Sequence, residues 1–194
     1  MRLVLGLGNP GARYAATRHN VAWRVLDRLA ARWTATPGEP HPTYATWIAR
    51  PGGRPVTLLA PLTWMNASGV ALREWRQAHG DPEDLLVVSD DVYLPLGSLR
   101  LRPGGSSGGH RGLVSIETEL GHREYARLRI GVGAAADSAA LREHVLETFS
   151  SEEWPAVDEV VRLAADAVEC WVTDGILAAM NRFNRKVRKE VSEP

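Results

Sequence analysis

His19 lies in Tyr14-Ala-Ala-Thr-Arg-His19-Asn20, a polar and basic segment between a short apolar run and an amphipathic stretch. An imidazole has an unperturbed pKa of roughly 6.5, so it can take a proton from water near neutral pH when a carboxylate fixes its other nitrogen. Asp90 or Asp91, just beyond the apolar run from Leu85 to Val88, could supply that carboxylate. A carboxamide adds to this inventory. Asn66, in Leu62-Thr-Trp-Met65-Asn66-Ala-Ser-Gly69, begins a helical pattern, where it either caps the helix or turns its amide hydrogens towards an oxyanion. Residue type and spacing leave both open. They also leave open a purely structural role for a single histidine with aspartates at a strand end.

Two glycine-rich loops flank these residues. Gly6-Leu7-Gly8-Asn9-Pro10-Gly11 matches the dinucleotide pattern G-x-G-x-x-G at the place where a strand breaks into a loop. That reading needs a helix starting at the third glycine and an acid at the end of the next strand. Here the helical pattern starts near Asn20, Asp27 falls inside it, and Pro10 removes an N–H that a pyrophosphate would need. The second loop, Gly104-Gly-Ser-Ser-Gly-Gly-His110-Arg111-Gly112, is either a hairpin connection or a backbone that approaches a ligand closely. Residues 95–130 hold six arginines against three glutamates, a net +3 that suits an anionic partner.

The elements that must carry these residues alternate. An apolar run at residues 2–7 reads as a buried strand. Val21, Ala22, Val25, Leu26, Leu29, Ala30 and Trp33 give one helical stripe, with Asn20 available as its cap. The segment 34–43 is a turn-rich break, and residues 44–49 and 56–60 read as a hairpin across Pro51-Gly52-Gly53. A helix over 66–79, strands at 85–88, 98–102 and 128–132, a helix over 113–120 and two helices after Ser151 complete the pattern. It predicts a single α/β domain, a three-layer sandwich with a largely parallel sheet, whose strand ends should hold the site. The domain is expected to span 1–185, followed by a basic tail at 186–194.

Composition limits the function classes. With 194 residues, 44% of them hydrophobic and 24% charged, the chain is that of an ordinary globular domain. Cys170 is the single cysteine, so there is no disulfide framework, and its place between Glu169 and Trp171 suggests helix packing. The N-terminal apolar run is too short for a signal peptide or a membrane span, which makes the cytoplasm the default location. Formal charge is zero, yet residues 1–35 carry six arginines against Asp27 while residues 137–174 carry ten acids against Arg142 and Arg162. A basic front of this kind could grip phosphates.

In order along the chain, LGLGNPGARYAATRHNVAW, PLTWMNASG, VVSDDVYLPLGSLRLR, GGSSGGHRGL, RLRIGVG and CWVTDGILAAMNRFN together resemble the bacterial peptidyl-tRNA hydrolase family. The resemblance covers essentially the whole chain. It implies a monomer with a mixed sheet flanked by helices, and peptidyl-tRNA as the partner. His19 would activate water against the ester joining peptide to tRNA, with Asp90 orienting the imidazole and with neither metal nor cofactor. Asn9 and Asn66 would position the reacting end, and Tyr14 and Met65 would line the cleft. Arg102 and Arg129 would clamp the 5′-phosphate of the tRNA. Three departures stand out: Arg111 replaces an asparagine common in the family, Tyr93 replaces an acid, and GVGAAAD lacks the proline expected after RIGVG. Arg111 can contact phosphate but cannot accept a hydrogen bond. The principal alternative is an RNA-binding relative without hydrolysis, against which Asn9, His19, Asn66 and Asp90 all argue.

Overall fold

A strand buried on both faces needs a near-continuous apolar run, and three such runs form the centre of the sheet. They are β1 (Arg2–Gly6), β4 (Val56–Pro61) and β5 (Asp84–Asp91). The structure, a computed structural model, describes residues 1–134 and 140–184. The tail expected at 186–194 and the residues 135–137 of the GVGAAAD departure lie outside them. β1 pairs in parallel with β4 and β5, and β5 in parallel with β7 (Ala126–Gly131). Antiparallel strands extend both sides: β3 (Tyr44–Ala49) and β2 (Thr36–Pro37) beyond β4, and β6 (Leu99–Arg102) beyond β7. The order is β2-β3-β4-β1-β5-β7-β6, a mixed, mostly parallel sheet.

Strand alternation sends Val4, Leu58, Leu86 and Leu128 to one face, against α1 (Val21–Arg32), α5 (Trp154–Asp174) and α6 (Ile176–Phe183). Leu3, Leu5, Leu59 and Val87 face α2 (Ser68–His79) and α3 (Arg111–Leu120). This is the expected three-layer α/β sandwich. Among the described residues no helix is long and apolar enough to cross a membrane.

α2 and α3 meet without space for a side chain at Gly69. A Cβ there would strike the carbonyl oxygen of Ser115, whose hydroxyl accepts the Gly69 N–H at 2.9 Å. This close approach fixes the two helix starts relative to each other.

The structure differs from the sequence-based expectations in three places. Asn20 does not cap α1, because its side chain is committed to Asn9. The break at 34–43 contains the two-residue edge strand β2, too short to leave a periodic signal. A six-residue helix, α4 (Leu141–Leu146), interrupts the acidic stretch. Part of the basic front is paired with acids of the C-terminal third: Arg18 with Glu153 at 2.9 Å, and Arg32 with Asp166 at 2.8 Å and Glu169 at 3.0 Å. Opposite charges distant in sequence therefore meet, Arg32 where α1 docks on α5 and Arg18 in the turn just before α1.

Candidate active site

The C-terminal ends of the parallel strands open at one edge of the sheet, where an open α/β sheet characteristically binds its ligand. Asp90 and Asp91 end β5 with only 3% and 5% of their surface exposed. Adjacent strand residues point to opposite faces, and so the two acids have different partners. Asp91 meets Arg129 at 2.5 Å. Asp90 Oδ1 meets His19 Nδ1 at 2.7 Å and His110 Nε2 at 2.9 Å.

The proton positions follow from these bonds. His110 caps α3: its Nδ1 accepts the N–H groups of Gly112 at 3.2 Å and Leu113 at 3.3 Å. The ring proton is therefore on Nε2, which donates to Asp90. His19 likewise donates through Nδ1, leaving its Nε2 lone pair without a partner among the described residues, on a side chain that lines the cleft. Burial alone would raise the pKa of Asp90, but the two imidazoles outweigh it and hold the carboxyl far below the usual carboxylate range. Burial likewise opposes a charged His19, while the Asp90 carboxylate favours it more strongly. The net result is a His19 pKa above the ordinary imidazole value, with Arg111 pulling in the opposite direction.

The cleft beside this trio has a volume of about 640 Å³. Asn20, 1% exposed, accepts the Asn9 N–H and donates to the Asn9 carbonyl, both at 2.9 Å. Asn9 Oδ1 accepts the Met65 N–H at 2.9 Å, so Asn9 Nδ2 is the end left to the cleft. These bonds lock together the loop after β1 and the turn that carries Met65 and Asn66. Asn66 is exposed on that turn and makes no cap bond, and its amide has no hydrogen-bond partner among the described residues. Met65 is buried in the cleft wall, and Tyr14 meets Trp64 edge to face with centroids 5.8 Å apart. Tyr93, 70% exposed, stands at the rim.

The expected cations divide. Arg111, the first residue of α3, is exposed and opens onto the cleft. Arg129 reaches the cleft but is held by Asp91. Arg102 is exposed on β6 outside the cleft, and the register sets Arg100 opposite Arg129 and Arg102 opposite Arg127. All four lie on one face of the β6–β7 pair. Arg102 and Arg129 are diagonal neighbours, roughly 7–8 Å apart at their side-chain roots and within reach of one another's tips.

His19, Asp90 and His110 have ligand atoms within 4.8 Å of one another, which is compatible in distance with a metal ion. Their chemistry fits poorly. A metal on His110 Nε2 would need the proton moved to Nδ1, into the two backbone N–H groups that Nδ1 now accepts.

Comparison with known proteins identifies the family. The family model described as peptidyl-tRNA hydrolase matches residues 3–191. The chain belongs to the peptidyl-tRNA hydrolase family. Relatives named peptidyl-tRNA hydrolase include one from Chlorobaculum tepidum, 43% identical across 96% of this chain and all of the relative. Another from Synechococcus is 45% identical across 95% of this chain and 83% of the relative. The fold of the family is present in full: a crystal structure of peptidyl-tRNA hydrolase from Acinetobacter baumannii superposes with a TM-score of 0.87 at 33% identity, over 95% of this chain and 94% of that one.

Sequence reasoning passed over His110 and α4 and took Asn20 for a helix cap. His110 had one signal, a titratable ring immediately before a helical pattern. Asn20 had none that distinguishes a clamp from a cap. Leu141, Val145 and Leu146 of α4 line the cleft, but one and a half turns of helix carry too few positions to register as a period.

Proposed function

We propose that this chain hydrolyses the ester of peptidyl-tRNA, releasing peptide and free tRNA, with His19 as general base. The observation that carries this reading is the buried Asp90 carboxylate taking one hydrogen bond from each of two imidazoles, at 2.7 and 2.9 Å, beside Asn9 and Asn66. His19 Nε2 takes a proton from water as the oxygen attacks the ester carbonyl. The charge that develops on the carbonyl oxygen is met by the amide hydrogens of Asn66 and of Asn9 Nδ2. Collapse of the tetrahedral intermediate breaks the bond to the ribose oxygen, which takes the proton back from His19. Asp90 holds the imidazole in the tautomer this requires and stabilises the imidazolium between the two steps.

No serine, cysteine or metal is needed in this scheme, because an ester is a good electrophile once water is positioned. Tyr14, Met65 and Trp64 would receive the terminal nucleotide and the first peptide residue. Arg102 and Arg129 would hold the 5′-phosphate from the β6–β7 face, and Arg111 would contact the backbone near the acceptor end. The protein would act as a monomer in the cytoplasm.

The test is release of tRNA from an N-blocked aminoacyl-tRNA by the wild-type protein and by His19→Ala, with a chelator present. The expected result is wild-type turnover indifferent to the chelator, and a loss of about 10²–10⁴-fold in the folded variant. Tight tRNA binding without hydrolysis by the wild-type protein would favour the RNA-binding alternative.

A further inference from the structure

Arg127 on β7 is 2% exposed, a position where a guanidinium is costly unless its donors are used. Its Nη1 donates to the Ser106 carbonyl at 2.7 Å and its Nη2 to Glu117 Oε1 at 2.9 Å, while its Cζ lies 4.4 Å from the centre of the Tyr125 ring. One cation thus joins a strand, a helix and the glycine loop. That loop has little stiffness of its own, since Gly105, Gly108 and Gly109 all have positive φ. Ser106 adjoins Ser107, whose carbonyl accepts the His110 N–H at 3.1 Å, so Ser106 borders the turn that delivers His110 to Asp90.

We propose that Arg127 is a positioning residue for the hydrolytic site: by holding the Ser106 carbonyl it sets the loop that presents His110 to Asp90. The inference rests on the esterase reading above for its consequences in turnover, but its geometric part stands separately. Ser106 is exposed, so water can satisfy its carbonyl if Arg127 is lost. The tether therefore contributes position more than stability. A second hold, Gly105 N–H on the Arg123 carbonyl at 3.3 Å, keeps the loop attached but is one residue further from Ser107.

Arg127→Met with Glu117→Met removes the tether without leaving a buried charge unpaired, a kind of replacement that is often neutral for stability. The expected result is a melting temperature close to that of wild type with kcat lowered about ten- to hundredfold and KM little changed. The acid limb of the kcat profile should also move to higher pH. Asp90 would then share its charge with His19 alone and hold the imidazolium more strongly. The His110 Nε2 proton should be protected from exchange in the wild-type NMR spectrum by its bond to Asp90, and should exchange and broaden in the double variant. If that variant is folded with kcat, acid limb and His110 proton all unchanged, the proposal is overturned. Should the wild-type protein hydrolyse no ester, the functional reading fails by itself, and the His110 proton still decides the positioning role: loss supports it, retention refutes it. If the double variant does not fold, Arg127→Lys is measured instead. Its point charge can serve Glu117 but not Ser106 as well, and the same readouts apply.

Discussion

At the residue scale the site depends on a single carboxylate oxygen. Asp90 Oδ1 takes donors from both His19 and His110, and the cap bonds of His110 leave that ring only one proton to give. Asp90→Asn would put an uncharged group in the same space. The sign of the pH effect follows from which form of His19 works. The neutral imidazole is the base, and in the wild-type protein Asp90 raises its pKa above the ordinary value of 6.5, so kcat/KM should fall on the acid side through a limb that lies above 6.5. Without the carboxylate, burial and Arg111 act alone, and the limb should move to lower pH while the plateau drops by about 10²–10⁴-fold. A pH–rate series on both proteins checks this, and a limb that stays in place would remove Asp90 from control of His19. The residue types and their positions at element ends made His19 and the Asp90–Asp91 pair legible in the sequence. Residue type and spacing alone did not choose between the two acids, because that depends on which face of β5 meets His19 and which meets Arg129; the family resemblance pointed to Asp90.

At the element scale the same groups are held by close approaches between backbones. Asn66 rides on the turn before α2 and His110 on the start of α3, so their separation is set where Gly69 presses on Ser115. Gly69→Ala should force the helices apart and cost about 1–3 kcal/mol, as overpacking commonly does. The measurement is thermal unfolding together with kcat of the folded protein. We expect the melting temperature to fall by several degrees and kcat to fall with it, whereas a loss of stability with kcat unchanged would separate the helix packing from the site. Strong apolar runs and the period of α1 were readable because each carries many positions that agree. β2 and α4 were not, since two and six residues cannot establish a period. Asn20 was misread for a different reason: a carboxamide at a helix start serves a local cap or a distant backbone equally well, and only the return of the loop after β1 decides it.

At the scale of the whole molecule, neutrality conceals two different uses of arginine. Arg18 and Arg32, from the basic front, are paired with acids of the C-terminal third: Arg32 fastens α1 to α5, and Arg18, in the turn before α1, holds Glu153 at the start of α5. Arg100 and Arg102 on the outer strand β6 are exposed and have no acidic partner among the described residues. Charge density along the chain did not separate these two uses, because sequence distance says nothing about which opposite charges fold together. The two groups should separate in a salt titration. A residue that neutralises one phosphate contributes close to one unit to the slope of log affinity against log salt, so Arg102→Ala should lower that slope by about one. Its effect should shrink for a tRNA that lacks the 5′-phosphate. Arg32→Ala should leave affinity and slope unchanged and cost at most about 1 kcal/mol of stability, since its partners are partly solvated. If Arg32→Ala lowered the slope and Arg102→Ala did not, the RNA surface would lie along α1 and the pairing with α5 would have to open on binding.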